Sequence, residues 1–259
     1  MTRLPLALRL LAILLCGWST LSLAAPSGEE IMTAVRQRDV GRDERAEVRM
    51  QIEDSRGEVR ERRLLRLRLT EGGEDKVRIQ FLFPPDVRDT AFLLHDHLDR
   101  DDDRWLYLPS LGKPKRIAGT QKYRSFLGTD FTYDDLGGRE PQEDTHTLEG
   151  EDTIAGRPAY RVRSVPKEAE NPHAYRLSWV WKETPLVLKE EQYDQHQRLR
   201  KRMRSLQIKS MQGIWSVTER EMANLLEQHR TVLVFTATRY NTSIKPDLFR
   251  EQALERPVP

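Results

Sequence analysis

The chain is predicted to be mainly β: one large antiparallel sheet with few helices, an N-terminal one among them, and a long central insert as the candidate cover of its apolar face. Three observations predict it. Apolar and charged residues alternate with a period of two through most of the sequence. Glycine, serine and aspartate interrupt that alternation at hairpin spacing. A central stretch, Gly112 to Arg139, loses any steady period yet stays rich in aromatic residues.

The first segment concerns address rather than fold. Met1 to Arg9 carries two arginines and no acid, Leu10 to Leu15 is apolar, and Ser22-Leu23-Ala24 ends with small residues where a signal peptidase reads. Residues 1–24 are therefore expected to be a cleaved signal peptide, with Ala25 the near alternative, too short to anchor as a spanning helix. Cys16 belongs to its apolar core, because Leu15 is bulky where a lipobox wants a small residue. Residues 25–259 are expected to be one periplasmic domain, working as a monomer.

Without residues 1–24, which hold Arg3 and Arg9, the 43 Lys+Arg fall to 41, equal to the 41 Asp+Glu. Such a balance argues against a nucleic-acid partner, which needs a basic excess. The only cysteine leaves with the same segment. The fold must then be held by burial, with no disulfide and no thiol chemistry.

Ser27 can cap a first helix, with Glu29 and Glu30 in its first turn and Ile31 and Val35 on one side. Ala46, Val48, Met50 and Ile52 then alternate with Glu47, Arg49, Gln51 and Glu53. After Ser55-Arg56-Gly57, Leu65, Leu67 and Leu69 alternate with Arg66 and Arg68. After Glu71-Gly72-Gly73, Val77, Ile79, Phe81 and Phe83 alternate with Lys76, Arg78 and Gln80. These read as a meander with one apolar face and one face of arginine and glutamate. Asp103 to Leu108 adds a strand before the central insert.

Downstream, Tyr160 and Val162 mark a strand, and Leu177, Trp179 and Trp181 share one side of the next. Leu186 to Tyr193 and Leu199 to Lys209 form a hairpin about Asp194-Gln195-His196, and Ile214 to Met222 pairs with Thr231 to Tyr240. Pro246 to Leu254 suits a short C-terminal helix with Pro246 in its first turn.

A sheet with one apolar face must cover it. The insert, with Tyr123, Phe126, Leu127, Phe131, Tyr133 and Leu136 among Lys113, Lys115, Arg116, Lys122 and Arg124, is the candidate cover. Its glycines Gly112, Gly119, Gly128 and Gly137-Gly138 are candidate hinges.

"DRWLYLPSLGKPKRI" followed by "SFLGTDFTYDDL", within Asp103 to Leu136, resembles the outer membrane lipoprotein-sorting group of the LolA-like superfamily. The resemblance implies an incomplete barrel around an apolar cavity lidded by helices and loops. It also implies a lipid or lipoprotein cargo, and partners such as an inner-membrane RND-type transporter or an outer-membrane receptor. The regulator branch of the superfamily, the RseB type, offers the alternative of a protein-recognition module. None of the lipoprotein carrier's own functional residues map here by motif.

The apolar cavity and lid are then expected to use Phe81, Phe83, Trp105, Leu106, Leu108, Tyr123, Phe126, Leu127, Phe131, Tyr133, Leu136, Trp179 and Trp181. An acyl chain gains roughly 0.8 kcal/mol for each CH2 taken from water, and a carrier needs no catalytic group. Lys113, Lys115 and Arg116 are expected either to meet phosphate or an acidic partner at the mouth, or to form a solvated surface. The apolar faces could equally fill an ordinary core.

Enzyme signatures are missing: there is no G-x-S-x-G, H-E-x-x-H or phosphate-binding glycine loop. "HDHLDRDDD" puts His95 and His97 on one side of a strand near aspartates, a weak metal pattern against the simpler reading of an acidic turn. No cofactor, metal or enzymatic activity is expected.

Overall fold

A computed structural model describes residues 25–258. The signal-peptide reading of residues 1–24 lies outside the described residues. The chain runs through α1 (Gly28–Gln37), β1 (Asp43–Glu53), β2 (Val59–Glu71), β3 (Glu74–Phe83), β4 (Ala91–His95), β5 (Asp103–Leu108) and β6 (Lys113–Ile117). The insert 118–143 follows, and then β7 (Asp144–Ile154), β8 (Arg157–Pro166), β9 (His173–Trp181), β10 (Val187–Asp194), β11 (Leu199–Met211), β12 (Ile214–Asn224) and β13 (His229–Tyr240).

All 13 strands form one curved open sheet in the order β6-β5-β4-β3-β2-β1-β13-β12-β11-β10-β9-β8-β7. Two antiparallel meanders, β1 to β6 and β7 to β13, join where β1 pairs with β13, as in Val48 opposite Phe235 and Met50 opposite Leu233. The free edges are therefore β6 and β7, and the insert is the chain segment that runs from one to the other.

Directly opposed residues of neighbouring strands share a face, which settles the side of every strand residue. Val48, Met50, Ile52, Leu64, Val77, Ile79, Phe81, Phe92, Leu94 and Leu106 make a concave-side core with Met203, Met222 and Leu233. Helix α1 lies on β7 and β8 on that same side, its Ile31 packed with Val162 and Val180. The expected Ser27 cap is present as a reciprocal capping box with Glu30.

Two sequence expectations need correction. Leu65, Leu67 and Leu69 do not share the face of Val48 and Met50. They point to the convex side and pack with Ala91, Leu93, Phe249 and Leu254, so Arg66 and Arg68 of the same strand point inward, opposite Ala46 and Glu44. The segment Pro246 to Leu254 is also not one helix. It forms two 3-10 turns, Pro246–Phe249 and Glu251–Glu255, broken at the extended Arg250. The break lets Phe249 and Leu254 both reach the convex leucines. Arg78, buried beneath this segment, donates to the carbonyls of Leu248 (2.9 Å) and Arg256 (2.6 Å).

Candidate ligand cavity

The insert is pinned to the concave face rather than hung over it. Ser125 and Thr132 form an isolated bridge, and the turn between them drives Phe126 and Phe131 downward. Phe126 is wholly buried, with its ring centroid 5.8 Å from Phe81, 5.5 Å from Phe92 and 5.4 Å from Tyr133. Such edge and tilted geometries are the favourable ones for aromatic rings. At the turn, Arg62 donates to the Leu127 carbonyl (2.8 Å) and Lys201 to the Asp130 carbonyl (2.6 Å). The Asp130 N–H donates to Thr231 Oγ1 (3.0 Å), whose hydroxyl donates back to Asp130 Oδ2 (2.7 Å).

The far end of the insert is bolted by charge. Arg139 forks onto Asp144 at 2.8 and 2.7 Å. Arg104 bridges Asp102 (2.7 Å) and Asp134 (3.0 Å). Arg36 of α1 meets Glu140 (2.5 Å), Asp96 (2.7 Å) and Asp75 (3.3 Å). Burial pushes the Asp96 carboxyl up to about 8 in spite of Arg36, with Asp102, Glu140 and Asp75 adding like charge. Gly138 sits against this clamp: a Cβ there would lie 3.1 Å from Arg36 Nη1 and 3.3 Å from Asp96 Oδ2.

Between sheet, helix and insert lies a cavity of about 440 Å3, inside the ~300–1,000 Å3 range of small-molecule sites. Its apolar part is formed by Val48, Met50, Leu64, Ile79, Phe126, Phe131, Met203 and Leu233. Its other part is charged, with Arg38, Glu44, Arg66, Arg68, Arg176, Glu190 and Arg220 facing inward.

Of the residues expected to line a cavity, Phe126, Phe131 and Leu136 do so. Phe81, Leu106, Leu108, Leu127 and Tyr133 belong to the surrounding concave core. Trp105 lies on the convex side against the C-terminal segment. Trp179 and Trp181 pack in a separate cluster with Ala159, Leu186 and Leu188, because alternation on β9 sends Arg176 and Ser178 to the cavity instead. Phe83 is half-buried beneath Arg63. The Tyr123 hydroxyl donates to Glu168 and accepts from Asn171 (3.2 Å).

Lys113, Lys115 and Arg116 stand exposed on edge strand β6, where Arg116 pairs with Asp103. Basic residues and Pro114 on an edge also discourage pairing with another chain. His95 Nε2 contacts the Phe249 carbonyl (2.7 Å), and His97 sits between Glu74 (3.3 Å) and Asp103 (3.1 Å). No group of three or more His, Cys, Asp or Glu is arranged for a metal among the described residues.

The inward arginines were not anticipated. Their signal was the pair Leu64-Leu65, an apolar residue on each face of β2, which means that an arginine two residues from Leu64 must also turn inward.

A family model described as an uncharacterized protein matches residues 73–256. No curated protein matches the chain. Among solved structures, a DUF1329 family protein from Desulfovibrio piger is 29% identical, with a TM-score of 0.83 over 88% of this chain and 97% of its own. A protein domain from Vibrio parahaemolyticus, described as outer membrane lipoprotein-sorting, is 28% identical, with a TM-score of 0.84 over 88% and 98%. A LolA superfamily protein from Nitrosomonas europaea, 18% identical with a TM-score of 0.69 over 88% and 100%, shares the fold. The open half-barrel, closed by its own insert, is the fold of these DUF1329, lipoprotein-sorting and LolA superfamily structures, and the match over residues 73–256 places the chain in the family of that model.

Proposed function

We propose that this protein is a non-enzymatic periplasmic carrier that holds the acyl part of a lipid or lipoprotein in the cavity beneath the insert. The observation that carries the reading is the insert itself, which crosses from edge β6 to edge β7 and leaves a part-apolar hollow of about 440 Å3 under it. A hydrocarbon tail against Val48, Met50, Ile79 and Leu233 would be removed from water at roughly 25 cal/mol per Å2. Residues 25–259 act as one domain, with residues 1–24 directing export. The lipoprotein-sorting description of the Vibrio relative supports the same reading. Delivery to or from an inner-membrane RND-type transporter or an outer-membrane receptor would fit such a carrier.

Native mass spectrometry and lipid extraction of the purified protein test this, together with titration of a fluorescent fatty acid. Bound lipid or saturable uptake is expected. Consistent recovery of none, with no uptake, would falsify the reading.

A further inference from the structure

We infer that Arg38 and Arg220, with Arg66 beside them, form an oxyanion subsite inside the cavity, so that the bound amphiphile carries an anionic head group there and its chain on the apolar part. The inference rests on the lipid-cavity reading and names the class of ligand.

Five arginines face the charged part of the cavity: Arg38, Arg66, Arg68, Arg176 and Arg220. The carboxylates among them are Glu44 and Glu190. Arg68 is spent on the fold, contacting Thr70, the Val40 carbonyl, the Gly41 carbonyl (3.0 Å) and Asp75 (3.3 Å). Arg66 is held by Glu44 at 2.5 Å. Glu190 is engaged by Ser178 (3.2 Å), Gln192 (3.0 Å) and Arg176 (3.9 Å), and Arg176 also meets Asp144 (3.8 Å).

Two guanidiniums are left over. Arg38 makes one hydrogen bond and no ion pair among the described residues, donating from Nη1 to the Trp215 carbonyl at 3.2 Å. Arg220 makes no hydrogen bond or ion pair among the described residues, and its Nε is sealed from solvent without a partner. The part of Arg220 that is not covered faces the cavity.

Burial, with Arg38 and Arg66 as like-charged neighbours, pushes Arg220 down to about 10, and burial lowers Arg38 as well. Arg220 stays charged at neutral pH. An enclosed cation without a counterion is costly to the fold, and an apolar residue of similar length would avoid that cost. A planar fork of donors aimed into a cavity suits an oxyanion, phosphate above all.

The test compares 1-oleoyl lysophosphatidic acid with 1-monoolein, which differ by the phosphate, and includes inorganic phosphate alone. Binding is measured for the wild type, Arg220→Met and Arg38→Met. The wild type is expected to prefer the phosphate lipid by about ten- to a hundredfold, and each variant to bring that ratio towards one. Without lipid, Arg220→Met is expected to melt above the wild type, because it removes an uncompensated buried charge.

Equal affinity of the wild type for both lipids would overturn the subsite and leave the cavity reading intact. Binding of neither would overturn both. Free phosphate bound as tightly as the phosphate lipid would overturn the head-group assignment. A lower melting temperature for Arg220→Met would make the arginine structural and sink the inference.

Discussion

Phe126 shows what single residues of the insert contribute. It is wholly buried among Phe81, Phe92 and Tyr133, and its edge is also part of the cavity wall. Truncating such a side chain removes both burial and close contacts, at about 3–5 kcal/mol. Phe126→Ala is expected to lose that much in a urea titration. A loss below about 1 kcal/mol would mean the insert is not anchored there. Sequence reasoning selected Phe126 from its aromatic character alone, which is also why it selected Trp179 and Trp181. Large aromatic residues announce burial, but not on which side of a sheet.

Asp96 is the second informative residue. Its carboxyl is raised to about 8, chiefly by burial, from the ordinary aspartate value of 3.8. Between those values the folded chain holds a proton that the unfolded chain releases, so this group makes stability fall as pH rises through the window. Asp96→Asn is expected to flatten the pH dependence of unfolding free energy between pH 5 and 8 relative to the wild type. Parallel profiles would show that Asp96 titrates normally beside Arg36.

At the scale of elements, α1 is docked through its first residue. A Cβ at Gly28 would lie 2.7 Å from the Thr147 nitrogen and 2.8 Å from the His146 carbonyl carbon, both backbone atoms of β7 that cannot swing aside. Gly28→Ala is therefore expected to lift the helix from the sheet at about 1–3 kcal/mol. Faster hydrogen exchange confined to α1 and β7 is the measurement, and unchanged protection would refute it. The Ser27 cap, the acidic first turn of Glu29 and Glu30, and Ile31 and Val35 on one side made this helix legible. Its docking site was not legible, because the sequence does not show which backbone a glycine must approach.

The strands divide in the same way. β1, β3 and β10 to β13 were visible because one alternating set is apolar and the other charged. β2 was read as a strand with the wrong face turned inward, since its leucines are covered by the C-terminal segment some 180 residues away in sequence. β4, β6 and β7 went unread, β6 (Lys113–Ile117) because its basic residues read as the start of the aperiodic insert. β4 is five residues long and buried at four of them, and β7 exposes half its residues on a threonine- and glutamate-rich edge.

For the whole molecule, closure between the edges is the central feature. Local patterns specify hairpins, but the pairing of β1 with β13 and the path of the insert from β6 to β7 are long-range outcomes of covering a curved apolar face. That path gives cargo two routes: past a fixed insert, or beneath one that lifts. The insert is held to β13 by the paired Asp130 and Thr231 and at its other end by Arg36, Arg104 and Arg139. Phe126 and Phe131 line the cavity between these anchors, so a lifting insert would uncover its apolar part. Residues 25–259 contain no cysteine, so Asp130→Cys with Thr231→Cys would introduce the only thiols available for a lock. Oxidation is expected to slow uptake of a fluorescent fatty acid at least tenfold, and reduction to restore it. Equal uptake rates in both states would place the entrance elsewhere and leave the insert a fixed wall.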